Sequence, residues 1–131
     1  MPDICFCFEV HQPYRLNNRF SKDLAEKKNV KELFNVYFDN EWNKSILKRV
    51  SEKCYIPATE LILECIEKFK REKKKFKVAF SFSGVLIEQL NKWAPYVLDL
   101  FNQLVKTGCV ELLNQTYYHS LSSLFPSKQE F

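Results

Sequence analysis

Three short segments of the chain alternate apolar with small or polar side chains, the period of two that β-strands produce. They cover residues 4–11, 76–83 and 109–113. In the first segment the apolar face is formed by Ile4, Phe6, Phe8 and Val10. Pro13 ends this segment, and Gly84 ends the second one. We therefore predict three β-strands.

Helical spacing of apolar residues separates these strands. From about Glu41, apolar residues recur every three or four positions, and a second helix is predicted to begin near Pro57. Residues 85–90 fit a short helix. A longer helix is predicted from Pro95 to just before Gly108, because glycine is favoured immediately after a helix. Residues 14–40 show no clear pattern and have room for one or two helical turns.

The order strand, helices, strand, helices, strand predicts an α/β fold with parallel strands, because helical crossovers join strands that run in one direction. Functional sites in such folds form beyond the C-terminal ends of the strands. The polar residues that the strands would bring to this end are Glu9, His11, Ser81, Ser83, Glu111 and Gln115. We expect His11 and Glu111 to share one cleft there.

The composition is that of a soluble globular protein, with 46% hydrophobic and 27% charged residues. No apolar run is long enough to cross a bilayer, and the start of the sequence lacks the basic region of a secretory signal. The odd number of cysteines, five, indicates reduced thiols rather than a disulfide framework. We therefore expect a cytoplasmic protein without a membrane partner.

Several other classes of site are disfavoured. The basic run at residues 70–77 is interpreted as the solvated end of a helix, because no aromatic platform for nucleic acid accompanies it. Two glycines are too few for a phosphate-binding loop or a dinucleotide fingerprint. Cys5 and Cys7, with only two histidines elsewhere, match no common zinc spacing. We expect no nucleic-acid partner, no cofactor and no metal.

Carboxylates and a histidine at strand ends suit acid–base chemistry or the binding of sugar hydroxyl groups. Tyr14, Tyr117 and Tyr118 lie close to them in sequence and suit stacking against pyranose rings. His11 also fits a purely structural role, bonded to backbone at a strand end. A carboxylate such as Glu111, on an otherwise apolar strand, needs polar partners and is therefore a stronger indication of function.

Three segments resemble glycoside hydrolase family 57. Residues 8–15 (FEVHQPYR) are similar to its first conserved region, which is centred on His-Gln-Pro, and residues 108–112 (GCVEL) are similar to its second. Residues 116–121 (TYYHSL) resemble the α-amylase-like branch of the family. Residues 37–39, 52–55 and 79–84 are also similar to that branch, so the resemblance covers nearly the whole chain.

The resemblance implies a (β/α)₇ catalytic barrel that acts on α-1,4-glucans with retention of configuration. Residues 1–131 would form the N-terminal part of this barrel, and the partner would be an α-glucan or oligosaccharide. By the same resemblance, His11 contacts the sugar next to the cleaved bond, Glu111 shapes the site, and Tyr118 and His119 contact substrate. The nucleophilic glutamate and the acid/base aspartate belong to later conserved regions, expected beyond Phe131, so no catalytic residue is expected within the chain.

Two functions remain open at this point. The chain is either the N-terminal part of an α-amylase-like enzyme, inactive alone, or a non-catalytic protein that binds glucan or completes a split barrel with a separate chain. Three strands of an unfinished barrel would leave phenylalanine side chains in contact with water. We therefore expect self-association or a need for a complementary chain.

Overall fold

A computed structural model describes residues 4–121, 124, 126 and 127 of the chain. Six α-helices, one π-helical segment and three strands occur among these residues. In chain order they are β1 (Cys7–Val10), α1 (Lys22–Glu26), α2 (Val30–Tyr37), α3 (Asn40–Val50), the π-helical segment (Ser51–Tyr55), α4 (Ile56–Lys68), β2 (Val78–Phe82), α5 (Gly84–Trp93), α6 (Pro95–Lys106) and β3 (Val110–Leu113).

The three strands form one parallel sheet in the order β1-β2-β3. Phe8 lies opposite Phe80, and Phe80 lies opposite Leu112. Helices connect each strand to the next, so the predicted α/β class with parallel strands is confirmed. The strands are shorter than the alternating segments, since β1 begins only at Cys7 and β3 at Val110. Closure into a barrel requires more strands than these three and stays a prediction.

The core lies between one face of the sheet and helices α3 to α6. Phe80 and Phe82 of β2 contact Phe101 of α6, with ring centroids 6.4 and 4.9 Å apart. The largest fully buried apolar side chains come from the helices and are Leu47, Leu86, Leu90, Leu104, Val85 and Val97. The other face of the sheet carries Cys7 and Glu9 on β1 and Glu111 on β3, all three of them exposed. The candidate site lies at the C-terminal edge of this second face.

Local sequence explains most of the helix boundaries. The Asp39 side chain accepts a hydrogen bond from the Trp42 backbone N–H at 2.9 Å and caps α3. Helix α6 begins at Pro95, and Gly108, with φ of +70°, follows its end, as the sequence predicted. Helix α5 extends to Trp93, beyond the predicted residues 85–90.

Two parts of the helical pattern differ from the sequence-based prediction. Helices α3 and α4 are not separated by a loop, because the π-helical segment Ser51–Tyr55 joins them directly. Residues 22–37 hold two helices, α1 and α2, where the pattern was unclear. Within the part of the chain that the structure describes, no helix combines the length and the apolar character needed to span a membrane.

Candidate functional site

His11 directly follows the last residue of β1 and contacts the residue that follows β2. Its Nδ1 lies 2.7 Å from the Ser83 hydroxyl oxygen. Ser83 is fully buried and also caps α5, because its hydroxyl accepts a hydrogen bond from the Leu86 N–H at 3.4 Å. Nδ1 of His11 is therefore bonded to a side chain, rather than to backbone as in the structural alternative. One serine links the histidine to the start of a helix.

His119 reaches the same place from the segment after β3. Its ring centroid lies 4.8 Å from that of His11. Its Nδ1 is 2.9 Å from Oε1 of Gln115 and 3.4 Å from Oε1 of Glu9. Both of those oxygens are acceptors, so a proton on Nδ1 of His119 would satisfy this contact. Glu9, His11 and His119 thus form one polar group at the C-terminal edge of the sheet.

A tight turn directs His119 towards the strands. His119 has φ of +55°, a left-handed conformation that costs a residue other than glycine roughly 1–2 kcal/mol. The turn is held by the His119 N–H, which donates to the Thr116 carbonyl at 3.1 Å, and by the Ser120 N–H, which donates to the Thr116 hydroxyl at 2.6 Å. Unfavourable backbone geometry of this kind concentrates at functional sites.

The electrostatic environment favours the neutral form of His11 by lowering its pKa. Burial lowers the pKa of His11 below the ordinary value of 6.5, His119 lowers it further, and Glu9 acts in the opposite direction. Glu9 is half-exposed, so its carboxylate is hydrated and available to a ligand. The group offers an anionic acceptor and two imidazole rings within one small area, which suits the binding of adjacent hydroxyl groups.

Tyrosine side chains border this group. The rings of Tyr117 and Tyr118 meet edge to face, with centroids 4.8 Å apart, and Tyr118 is 72% exposed. The Tyr117 ring lies directly on Gly84 at the start of α5, where any added side chain would overlap with it. The Val85 N–H donates to the Tyr117 carbonyl at 3.1 Å. The segment after β3 is therefore attached to the start of α5.

Glu111 lies away from these residues, and the expectation that it shares a cleft with His11 is wrong. Glu111 pairs in register with Ala79, whereas His11 contacts Ser83, four residues further along the chain. With about 4.8 Å between strands and about 3.3 Å per residue, the two Cα atoms are about 16 Å apart. Glu111 instead lines a cavity of about 570 Å³ with Phe6 and Lys77, near the starts of the strands.

The positions of Glu9 and Glu111 also decide whether they could act as a catalytic pair. Glu9 is in register with Leu113 through Ser81, so the Cα atoms of Glu9 and Glu111 are about 12 Å apart. A retaining glycosidase requires two carboxyl groups about 5–5.5 Å apart. The Glu9 carboxylate contacts His119 at the C-terminal edge, whereas Glu111 lines the cavity near the strand starts, so these two glutamates do not form such a pair. The arrangement fits the binding of a polar ligand and includes no retaining pair built from Glu9 and Glu111.

Two features of the site were not predicted from the sequence. One is the contact between His119 and Glu9, which depends on the left-handed turn at His119. The other is Glu88 of α5, whose carboxylate accepts hydrogen bonds from the hydroxyl groups of Tyr14 and Tyr117. Nothing in the sequence distinguishes Glu88 from an ordinary surface glutamate of a helix.

Comparison with known proteins identifies the family. The model of glycosyl hydrolase family 57 matches residues 5–131. A putative alpha-amylase of Methanocaldococcus jannaschii is 48% identical over 128 residues, which cover 98% of this chain and 25% of that protein. An alpha-amylase of Pyrococcus horikoshii is 32% identical over 98% of this chain and 15% of its own length.

A third relative, an alpha-amylase of Pyrococcus furiosus, is 34% identical over 63% of this chain and 12% of its own length. The chain thus spans a quarter or less of the length of these three relatives. No solved structure is significantly similar to it. The family match includes the residues around His11, Glu111 and His119, and the relatives share the similarity over most of the chain. The chain belongs to glycosyl hydrolase family 57.

Proposed function

We propose that this chain provides the glucan-contact surface of an α-amylase-like glycoside hydrolase that acts on α-1,4-glucans with retention of configuration. The observation that carries the proposal is the group formed by Glu9, His11 and His119 at the C-terminal edge of the parallel sheet. Ligand sites of α/β folds lie at this edge. The printed names of the relatives, alpha-amylase and putative alpha-amylase, give the substrate class that we propose.

Each residue of the group has a distinct role in this proposal. His11, with Nδ1 engaged by Ser83, has Nε2 left for a sugar hydroxyl. Glu9 accepts a hydrogen bond from a second hydroxyl, and His119 orients Glu9 through their contact. Tyr118 covers the apolar C–H face of a glucose ring with its exposed ring. Glu111 lies on β3 in register with Cys7, four positions closer to the strand starts than His11, and shapes a more distant part of the same sheet face.

The proposal assigns the nucleophile and the acid/base to polypeptide outside residues 1–131. The Glu9 carboxylate lies against His119 and Glu111 lines the cavity near the strand starts, so they do not form a retaining pair, and the relatives are at least four times as long as the matched segment. The isolated chain is therefore expected to bind glucan without cleaving it. Turnover that survives rigorous purification and disappears in Glu9→Gln or Glu111→Gln would contradict this assignment.

Calorimetric titration of the purified chain with maltoheptaose tests the proposal. We expect saturable binding in the millimolar range, and weaker or no binding of cellohexaose, its β-1,4-linked counterpart. Glu9→Gln should weaken maltoheptaose binding about tenfold, since it replaces a charged acceptor. Glu64→Gln on the exposed face of α4 is the matched control and should bind like the wild type. Absence of binding, or equal affinity for both sugars, would contradict the proposal.

A second candidate, a non-catalytic protein that completes a barrel with a separate chain, is favoured by the exposed sheet. Phe6 of the segment leading into β1 is 52% exposed, and Leu112 of β3 is 54% exposed. Both outer strands of the sheet also have an unpaired edge among the described residues. Glucan binding by the isolated chain, together with a coding frame that carries no catalytic carboxylates after codon 131, would favour this candidate.

A further inference from the structure

Glu88 lies on the exposed face of α5 and uses both of its carboxylate oxygens. Oε1 accepts a hydrogen bond from the Tyr14 hydroxyl at 2.9 Å, and Oε2 accepts one from the Tyr117 hydroxyl at 2.7 Å. These tyrosines follow β1 and β3, whereas Glu88 belongs to the helix after β2. One carboxylate therefore joins the segments that follow all three strands.

Packing around both tyrosines supports this arrangement. The Tyr14 ring meets Phe34 and Trp93 edge to face, with centroids 4.9 and 6.1 Å apart. The Tyr117 ring lies on Gly84, which is one helical turn before Glu88 and therefore on the same face of α5. One face of α5 thus contacts Tyr117 twice: Gly84 leaves room for the ring, and Glu88 accepts the hydrogen bond from the hydroxyl.

The charge of Glu88 also affects both hydroxyl groups. The hydrogen bond to Glu88 is the main cause of the raised pKa of Tyr117. Burial is the main cause of the raised pKa of Tyr14, and Glu88 raises it further. Both tyrosines therefore remain protonated donors well above neutral pH.

We propose that Glu88 is a positioning residue for glucan: it holds Tyr14 and Tyr117 so that Tyr117 and Tyr118 form an ordered aromatic wall beside His119. This inference rests on the function proposed above. A glucose ring presents an apolar C–H face that stacks on an aromatic ring, and a wall ordered before binding loses less conformational entropy when the ligand arrives. Tyr118, 72% exposed and in edge contact with Tyr117, is the member of this wall most open to a ligand.

Two substitutions of Glu88 separate positioning from direct charge contact with the sugar. Glu88→Gln retains the length of the side chain, and its amide can accept from one tyrosine hydroxyl and donate to the other. Glu88→Ala removes both contacts. A positioning role predicts that Glu88→Ala weakens maltoheptaose binding about five- to tenfold, while Glu88→Gln stays within about twofold of the wild type. Glu64→Ala on α4 is the matched control and should bind like the wild type.

Ultraviolet titration of the tyrosines gives a readout that does not involve glucan. Glu88→Ala and Glu88→Gln should both lower the pKa of Tyr117, and Tyr117→Phe identifies its signal. The raised pKa of Tyr55 results mainly from burial and should be unaffected. Tyr117→Phe removes only one hydrogen bond, so it also tests affinity if Glu88→Ala fails to fold, with an expected loss of about threefold.

The outcomes are distinguishable. Wild-type affinity in Glu88→Ala, an equal loss in Glu88→Gln and Glu88→Ala, or an unchanged tyrosine titration would each overturn the positioning role while the proposed function stands. A wild-type chain that binds no maltoheptaose would instead overturn the proposed function, and with it the role of Glu88 in binding. A selective loss in Glu88→Ala, together with the shifted titration, would support the inference.

Discussion

At the scale of single residues, the sequence identified His11 correctly as a residue at the end of a strand, but it did not reveal the partners of His11. The alternation along residues 4–11 is sufficient to place His11 after an apolar strand. Its contact with His119, however, depends on a left-handed backbone at a residue other than glycine, which no sequence pattern announces. Glu111 was misplaced because β3 begins at Val110, so this glutamate lies near the start of its strand.

Stability should depend on pH through His11. Its pKa is lowered in the folded chain from 6.5, so the unfolded chain takes up a proton first as the pH falls. The neutral His11 ring makes its full contribution to the free energy of unfolding above about pH 6.5. This contribution decreases as the pH falls from there towards the lower pKa of the folded state. Urea denaturation between neutral and mildly acidic pH measures this slope, which should become shallower in His11→Gln. An identical slope in His11→Gln would contradict the assignment of this pH dependence to His11.

Ser83 should contribute more to stability than an ordinary helix cap. Ser83→Ala removes both the cap of α5 and the contact with His11, and we expect a loss of about 1–2 kcal/mol in the free energy of unfolding. Asn29→Ala, which removes only the cap of α2, is the matched control and should cost about 0.5–1 kcal/mol. Equal losses in the two variants would show that the contact between Ser83 and His11 adds nothing.

At the scale of elements, the helix boundaries marked by a proline or a glycine were predicted, and the boundary between α3 and α4, which has neither, was not. Helix α6 has a proline at its start and a glycine after its end, and its predicted limits agree with the structure. The joining of α3 to α4 through a π-helical segment has no such marker, since Ser51–Tyr55 contains neither glycine nor proline. The segment after β3 is positioned by its contact with Gly84, a tertiary interaction that local patterns do not encode.

Gly84 should be required for the position of Tyr117. An alanine at this position favours the helix by up to about 1 kcal/mol, but its methyl group overlaps with the Tyr117 ring. We expect Gly84→Ala to fold, to release Tyr117 from Glu88 and to lower the tyrosine pKa in ultraviolet titration. Gly108→Ala is the control: it costs about 1 kcal/mol for its positive φ, with no neighbouring atom affected, and should leave that titration unchanged. Retention of the raised pKa in Gly84→Ala would contradict the proposed contact.

At the scale of the whole molecule, the sheet has one face covered by helices and one face largely open. Phe6 and Leu112 have the same orientation as Phe8 and Phe80, on the helix-covered face, yet both are more than half exposed at the outer strands, and each outer strand has an unpaired edge among the described residues. A few hundred Å² of exposed apolar surface corresponds to several kcal/mol at roughly 25 cal/mol per Å². Additional polypeptide would cover this surface, which agrees with the proposal that the catalytic carboxylates are supplied from outside residues 1–131.

We therefore expect the isolated chain to self-associate at micromolar concentration, which sedimentation velocity measures. Phe6→Ser together with Leu112→Ser should reduce the association, because both apolar side chains are more than half exposed at the two outer strands. Leu61→Ser on α4, which replaces a side chain 60% exposed, is the matched control and should leave association unchanged. A well-behaved monomer with cooperative unfolding would show that the three strands and their helices are sufficient for a closed core.

Glucan is proposed to bind at the C-terminal edge of the sheet, around His11 and His119. The chain contains only these two histidines, so their imidazole NMR signals are few and are assigned by single substitutions. Titration of the chain with maltoheptaose, followed through these signals, shows where the sugar binds. We expect saturable shifts of both histidines and a much smaller change at the amide of Glu111, whose Cα lies about 16 Å from that of His11. Saturable binding with unchanged histidine signals, or with its largest shifts around Glu111, would contradict it.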